Sequence, residues 1–457
     1  MTSRVVRIGG GQGFYGDGIE GAIPVLATGV DYLVCDALAE LTLAILQKDR
    51  MKDESLGFTR DLPLYVRTVL PHALAGRTRL ITNAGGINPV AAGRAAIEAL
   101  REAGAGGSGL KVATVVGDDV RPLAAVPGSS VALPQDTLFA NAYLGAQPVV
   151  RALEQGADIV VTGRVADASL FLAPLIHEHG WAADDWDRLA AGIVVGHLLE
   201  CSGQVTGGNW SGPWWEHAGF PTGFPIAEVD ADGTTIITKP PGTGGCVTFD
   251  TVRQQLLYEV HDPSRYLNPD VTADFASLTL TDLGEDRVRV SGTRGRPRPE
   301  TYKALLCTPA GWAGEARYAY SWPDAPAKAR AAMAWTRKRA AEDGLAIDEW
   351  CEELFGLDAY GGPTVAAGRD GAAPDPAGPP EVMARLAWRG ADRDAVGKVG
   401  RGFGIMGLGG PPAISSVGRA VLGGGAGAGP TQLLSVRPFP VDRALVDAQV
   451  RVVVEEV

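Results

Sequence analysis

The stretch Gly156–Ser169, GADIVVTGRVADAS, holds the fold in miniature. Its run Asp158–Thr162 is apolar without polar alternation, which marks a strand buried on both faces. A glycine ends the run, a polar loop with Arg164 and Asp167 follows, and a helical pattern begins. The same unit recurs upstream. Runs at Arg4–Ile8, Tyr32–Cys35, Arg79–Thr82 and Leu110–Val116 alternate with helical patterns at Gly18–Ala27, Ala37–Lys48, Leu62–Ala75, Pro89–Ala103 and Ala146–Gln155. Strands alternating with helices predict an α/β fold, a mostly parallel sheet with crossover helices. Pro89 suits the first turn of its helix and Gly104 the end.

Working outward, this α/β domain is expected over residues 1–225, with a further helix at Leu189–Glu200. Residues 226–310 read as a smaller α+β subdomain: EVDADGTTIITK as a strand pair, VTFDTVRQQLLYEV as a strand or a helix, DRVRVSG and ETYKALLC as strands. Residues 311–457 carry a long helix pattern at 322–350 and terminal strands that complete the fold. Gly/Pro-rich stretches at 361–381 and 422–430 read as loops.

Each early strand runs into a distinctive loop: GGGQGFYGDG (Gly9–Gly18), Asp36, NAGGIN (Asn83–Asn88), GDD (Gly117–Asp119) and GRVADAS (Gly163–Ser169). A parallel sheet puts these carboxyl ends on one edge, where open α/β sheets bind ligands. Asp36, Asn83, Asp118, Asp119, Arg164 and Asp167 are therefore expected around one cleft.

Bulk chemistry narrows the function. A chain of 457 residues exceeds one ordinary core, so two or three domains are expected. The net charge of −12 opposes a nucleic-acid partner, which needs a basic surface. Cys35, Cys201, Cys246, Cys307 and Cys351 are scattered and read as reduced thiols. No secretory signal or membrane span is evident; Ala22–Leu46 carries Asp31, Asp36 and Glu40. A cytoplasmic location is expected, with a small-molecule substrate and further copies of the chain as partners.

Several motifs have both a chemical and a structural reading. Gly11, Gly13 and Gly16 fit G-x-G-x-x-G, offering amides to a phosphate or carboxylate, with Asp36 placed like a ribose-binding acid. Asp17, however, would repel a pyrophosphate, and the loop equally suits a tight strand–helix turn. Asp17 and Asp36 suit helix caps, a general base or a Mg²⁺ site. Arg164 can clamp a carboxylate or phosphate, or pair with Asp167. His197 and Glu200 share a helix face as H-x-x-E, without the second histidine of a zincin. Thr206 and Asn209 in the TGGN loop, and Thr243 in PPGTGGC, offer polar contacts to a substrate. Lys303 reads as a buried strand lysine of depressed pKa, or one that snorkels to water.

The runs GGGQGFYGDG, DYLVCDALAELTLAIL, TNAGGINP, GADIVVTGRVADASL, GHLLECSGQVTGGNW and KPPGTGGCVTFDTVRQQLLYE, in order over residues 4–340, resemble the acyclic terpene utilization (AtuA-like, DUF1446) family. The resemblance implies metabolism of branched or acyclic isoprenoid acids as CoA thioesters. Gly11, Asp17, Asp36, Asn83, Arg164, Asp167, Glu200 and Lys303 lie in the matching motifs. Relatives carry a small C-terminal module with an SGDKG-type signature that these residues lack, so a separate chain is expected to supply it if it is used.

Taken together, a lyase or hydratase acting beside the carbonyl of an acyl-CoA-like or carboxylated acyl substrate is expected. Asp36, Glu200, Lys303 and Asp167 are its catalytic candidates. Gly11, Gly13, Asp17, Asn83, Arg164, Thr206, Asn209 and Thr243 are its binding candidates. An NAD-dependent oxidoreductase, a metal-assisted hydrolase and a non-catalytic subunit are the rivals.

Overall fold

The computed structural model describes residues 4–217, 219, 222–359, 378–402, 409–412, 414–416 and 429–457. Most of the two stretches read as loops at 361–381 and 422–430 lies outside them. The chain forms two compact units, residues 1–307 with 436–457, and residues 308–435.

The first unit is built on a ten-stranded sheet. Strands β1 (Val6–Gln12), β2 (Tyr32–Cys35), β3 (Arg79–Thr82), β4 (Lys111–Val116) and β6 (Ile159–Thr162) run parallel in the order β1-β2-β3-β6-β4. The short strand β5 (Phe139–Ala142) lies outside this sheet and pairs with residues 304–307. Antiparallel strands extend both edges. β7 (Ile226–Val229) pairs with β1, and β8 (Thr235–Thr238) with β7. Arg287–Ser291 and Thr279–Gly284 follow beyond β8, and Arg451–Glu456 pairs with β4. The sheet is thus mixed rather than mostly parallel. Nor is there a unit boundary at 225/226, because the strands read as a subdomain continue the same hydrogen-bond ladder from β1.

Helix α1 (Ala22–Ala27) follows β1; α2 (Glu40–Lys52) and α3 (Leu62–Leu74) lie between β2 and β3; α4 (Pro89–Glu102) lies between β3 and β4. α5 (Gln147–Glu154) precedes β6, and α6 (Asp167–His179) and α7 (Trp186–Leu199) follow it. Helices α1, α3 and α4 bury their apolar residues against Leu33, Leu80, Val112, Ile159 and Val161. Helices α5, α6 and α7 pack against Val34, Ile81, Val115 and Val160 on the other face. Adjacent strands β3 and β6 therefore lead to helices on opposite faces. At such a switch point the two departing chains leave a crevice at the strand ends.

Local signals account for the ends of these elements. Asn88 caps α4 by accepting from the Ala91 N–H (3.4 Å), Pro89 opens it, and Gly104 follows with a left-handed φ of 86°. VTFDTVRQQLLYEV resolves into a helix, α8 (Phe249–Leu257), because Thr248 supplies its N-cap.

In the second unit, strands Glu349–Phe355 and Glu381–Gly390 pair antiparallel with each other, and Glu381–Gly390 with residues 312–321. Helix Ala325–Glu342 lies in the expected long-helix region and packs Ala329 and Met333 with Leu386 and Trp388. No helix among the described residues is long and apolar enough to cross a membrane, and the five cysteines are free.

Candidate active site

The strand-end loops converge through buried polar contacts. After β2, the Asp36 carboxylate accepts from the Asn83 side-chain amide and from the Leu38 N–H (3.3 Å). Asn83, at the end of β3, accepts in return from the Ala37 N–H (2.7 Å). After β4, one oxygen of Asp118 accepts both the Arg164 N–H and the Asn141 side-chain amide, each at 2.8 Å. Two glycines permit this closeness. A Cβ on Gly85 would sit 2.4 Å from the Thr162 carbonyl oxygen, and one on Gly163 2.5 Å from Asp118 Oδ2.

Arg164 is the hub. Its side chain is 1% exposed. One terminal nitrogen donates to the Leu38 carbonyl (2.8 Å) and the other to Asp167, at the first turn of α6. The guanidinium lies 4.0 Å from the Tyr143 ring centroid, and the Lys303 ammonium 4.6 Å from the same centroid. The Tyr143 hydroxyl donates to Glu40 Oε1 (2.7 Å), which also accepts from Lys303 (3.1 Å). Lys303 is in a strand as expected, but half its side chain is exposed, so it is neither buried nor unpaired.

From α7 come His197 and Glu200. His197 Nδ1 is 3.0 Å from Glu200 Oε1, and Nε2 is 3.0 Å from the Gln255 carbonyl oxygen. The Tyr266 and Phe275 rings flank the imidazole at 5.5 and 5.3 Å. Glu200 Oε2 is buried without a hydrogen-bond partner.

Some of these groups border a cavity of about 560 Å³, whereas Asp36, Asn83, Asp118 and Arg164 are not among its lining residues; its size is typical of small-molecule sites. Glu40, Tyr143, Asp167, His197, Glu200, Glu259 and Lys303 line its polar side. Tyr266, Leu267, Tyr302 and Phe439, with Pro269, Pro299, Pro438 and Pro440, make the apolar side. A wider groove of about 750 Å³ runs along α2 and α4, but its acids Glu54 and Glu98 are exposed, its Arg50 and Arg121 half-buried, and it holds none of the buried acids.

Burial sets the protonation states. It pushes the Asp36, Asp167 and Glu200 carboxyls up, and neighbouring carboxylates add to the effect against the pull of Arg164. Burial also lowers His197 to about 4. Glu40 goes the other way, to about 2, because the Tyr143 hydroxyl and Lys303 outweigh its desolvation. The cavity thus sets two carboxyls raised by burial, Asp167 and Glu200, and a neutral imidazole beside the Glu40–Lys303 ion pair.

Asp118 is raised by burial to about 6, partly offset by its two donors. Between its unfolded pKa of ~4 and 6 the folded chain binds the extra proton, so stability falls as pH rises through that window. Asp118→Asn is expected to remove its share of that fall, at most about 3 kcal/mol, in urea unfolding followed from pH 4 to 7, leaving the part that Asp36, Asp167 and Glu200 contribute. An unchanged slope would show that another group titrates there.

The remaining candidates lie elsewhere. Gly11 is inside β1, where a Cβ would meet Cys35 Sγ at 2.7 Å. The Gly13 amide donates to Asp17 (3.0 Å), which also accepts from Ser202 (2.8 Å), and the Gly16 amide donates to Asp61 (3.1 Å). Two carboxylates thus hold the amides that a pyrophosphate would need. Thr206 donates to the Gly203 and Gly223 carbonyls, Thr243 to the Pro240 carbonyl, and Asn209 is exposed in a left-handed turn. None of these lines the cavity. Conversely, Glu40, Tyr143, Glu259 and Tyr266 were not read as site residues. Only the position of Glu40, just past a strand end and opening a helix, hinted at one. Among the described residues, no three His, Cys, Asp or Glu side chains gather so as to hold a metal ion.

Residues 6–452 match the family model described as acyclic terpene utilisation family protein AtuA. No curated protein and no solved structure matches the chain.

Proposed function

The chain belongs to the acyclic terpene utilisation family AtuA, and from that premise we propose an enzyme that moves a proton at the carbon beside a carbonyl. The substrate in this reading is an acyl-CoA-like or carboxylated acyl compound, and the reaction is of the lyase or hydratase type. One observation carries it: Glu200 is a buried carboxyl with one oxygen on His197 and the other without a partner, in a residue that lines the cavity. A carboxyl that burial holds above the usual carboxylate range can give and take a proton in turn.

The other groups fit supporting roles. Lys303 and the N-terminus of α6, which has no side-chain cap, favour negative charge developing on the carbonyl oxygen. Tyr266, Leu267 and Phe439 accept the apolar acyl body. Arg164 acts behind the wall, fixing Asp167 and Tyr143.

The test is proton exchange in D₂O. Short branched and unsaturated acyl thioesters, and the matching free acids, are incubated with the chain and followed by NMR. Deuterium entering the position beside the carbonyl is the expected result. A panel in which no compound exchanges or turns over would sink the reading.

A further inference from the structure

The His197–Glu200 pair resolves further, because both ring nitrogens are engaged. Nε2 faces the Gln255 carbonyl oxygen at 3.0 Å, and a carbonyl can only accept, so Nε2 carries a proton. Gln255 is itself held, donating to the His197 carbonyl (3.0 Å) and accepting from Gln204 (2.7 Å). The Nδ1 contact with Glu200 Oε1 then admits two arrangements: an imidazolium facing a carboxylate, or an imidazole accepting from a carboxylic acid.

The surroundings select the second. The ring lies beside Tyr266 and Phe275, and Glu200 faces Asp167 at the start of α6 and Glu259 just after α8. Asp36 and Cys201 add no positive charge there. The guanidinium near them, Arg164, is already paired with Asp167. Burial holds Glu200 well above the usual carboxylate range and His197 at about 4. With its proton on Oε1, Glu200 keeps Oε2 as an acceptor without a partner, buried in the wall of the cavity. A neutral carboxyl alone is a very weak base, so a second group must take up the charge.

We infer that His197 is that group, a positioning residue that acts through Glu200 as a proton store. The inference rests on the functional reading above. The substrate C–H bond breaks, its proton bonds to Oε2, and its electron pair passes to the carbonyl as an enolate. The Oε1–H bond breaks in the same event and that proton bonds to Nδ1. Glu200 stays neutral, His197 becomes imidazolium, and the reverse transfer reprotonates the product.

Two readouts on the full chain test this. In NMR at pH 7 with ¹³C-labelled glutamate and ¹⁵N-labelled histidine, Glu200 is expected protonated and His197 Nδ1 bare; Glu200→Gln assigns the carboxyl signal. In the exchange assay with a branched acyl N-acetylcysteamine thioester, His197→Gln keeps an acceptor for the Glu200 proton but cannot store it. It is expected to lower kcat by about 10²-fold or more with KM little changed. An ionised Glu200 facing imidazolium, or wild-type exchange in His197→Gln, overturns the inference. A neutral pair in a wild type that exchanges nothing upholds the assignment of the pair and removes the functional reading instead.

Discussion

Arg164→Met is expected to cost the chain about 3 kcal/mol of folding stability, the low end of the penalty for removing one partner of a buried ion pair, because the guanidinium is buried and Asp167 only partly so. The guanidinium is 1% exposed and serves three groups: the Leu38 carbonyl, Asp167 and the face of Tyr143. Methionine fills similar volume but leaves the Leu38 carbonyl unpaired and Asp167 facing Asp36 and Glu40 without compensation. Arg164→Lys is expected to recover little, since a point charge cannot reach the carbonyl and the carboxylate together. Urea unfolding measures both variants. A midpoint like that of the wild type would mean that the strand ends hold together without the guanidinium.

Glu200→Gln carries the largest expected effect on chemistry. The amide matches the carboxyl in shape and can face His197 Nδ1 with its N–H, so the fold should survive. Proton transfer should not: removing a general acid or base typically costs about 10²–10⁴-fold in rate. Deuterium exchange and turnover on the same thioester panel measure it, with thermal unfolding to confirm the fold. A rate within tenfold of the wild type would move the proton-handling role to Asp167 or Glu259, which line the cavity along with the Lys303-paired Glu40.

Part of this site was legible from the chain alone. Asp36, Asn83, Asp118 and Arg164 were placed together because each follows an apolar run that can only be a buried parallel strand, and such strands end on one edge. His197 and Glu200 were readable as neighbours from their spacing of three on a helix. The glycine-rich opening, read either as an anion-binding loop or as a tight strand–helix turn, has a packing role in the structure. Gly9–Gln12 continue β1, and their small size serves close packing, with a Cβ on Gly9 falling 2.2 Å from Val25. Tyr143 was invisible because β5 is short, reads FANA, and gains its partner from residues 304–307, far along the chain. Tyr266 and Glu259 follow α8 and reach the cavity only through tertiary packing.

The sequence by itself determined the α/β alternation, the polar residue closing each strand, and the helical pairing of His197 with Glu200. These depend on hydrophobic period and spacing, which act over a few residues. Tertiary structure alone decided which carboxyls are raised and which is lowered. That depends on water removed by side chains distant in the chain, and on how Arg164 and the neighbouring acids are arranged around each carboxyl. It also decided that Lys303 pairs with Glu40 rather than lying buried, because their contact spans 263 residues and no local pattern encodes it.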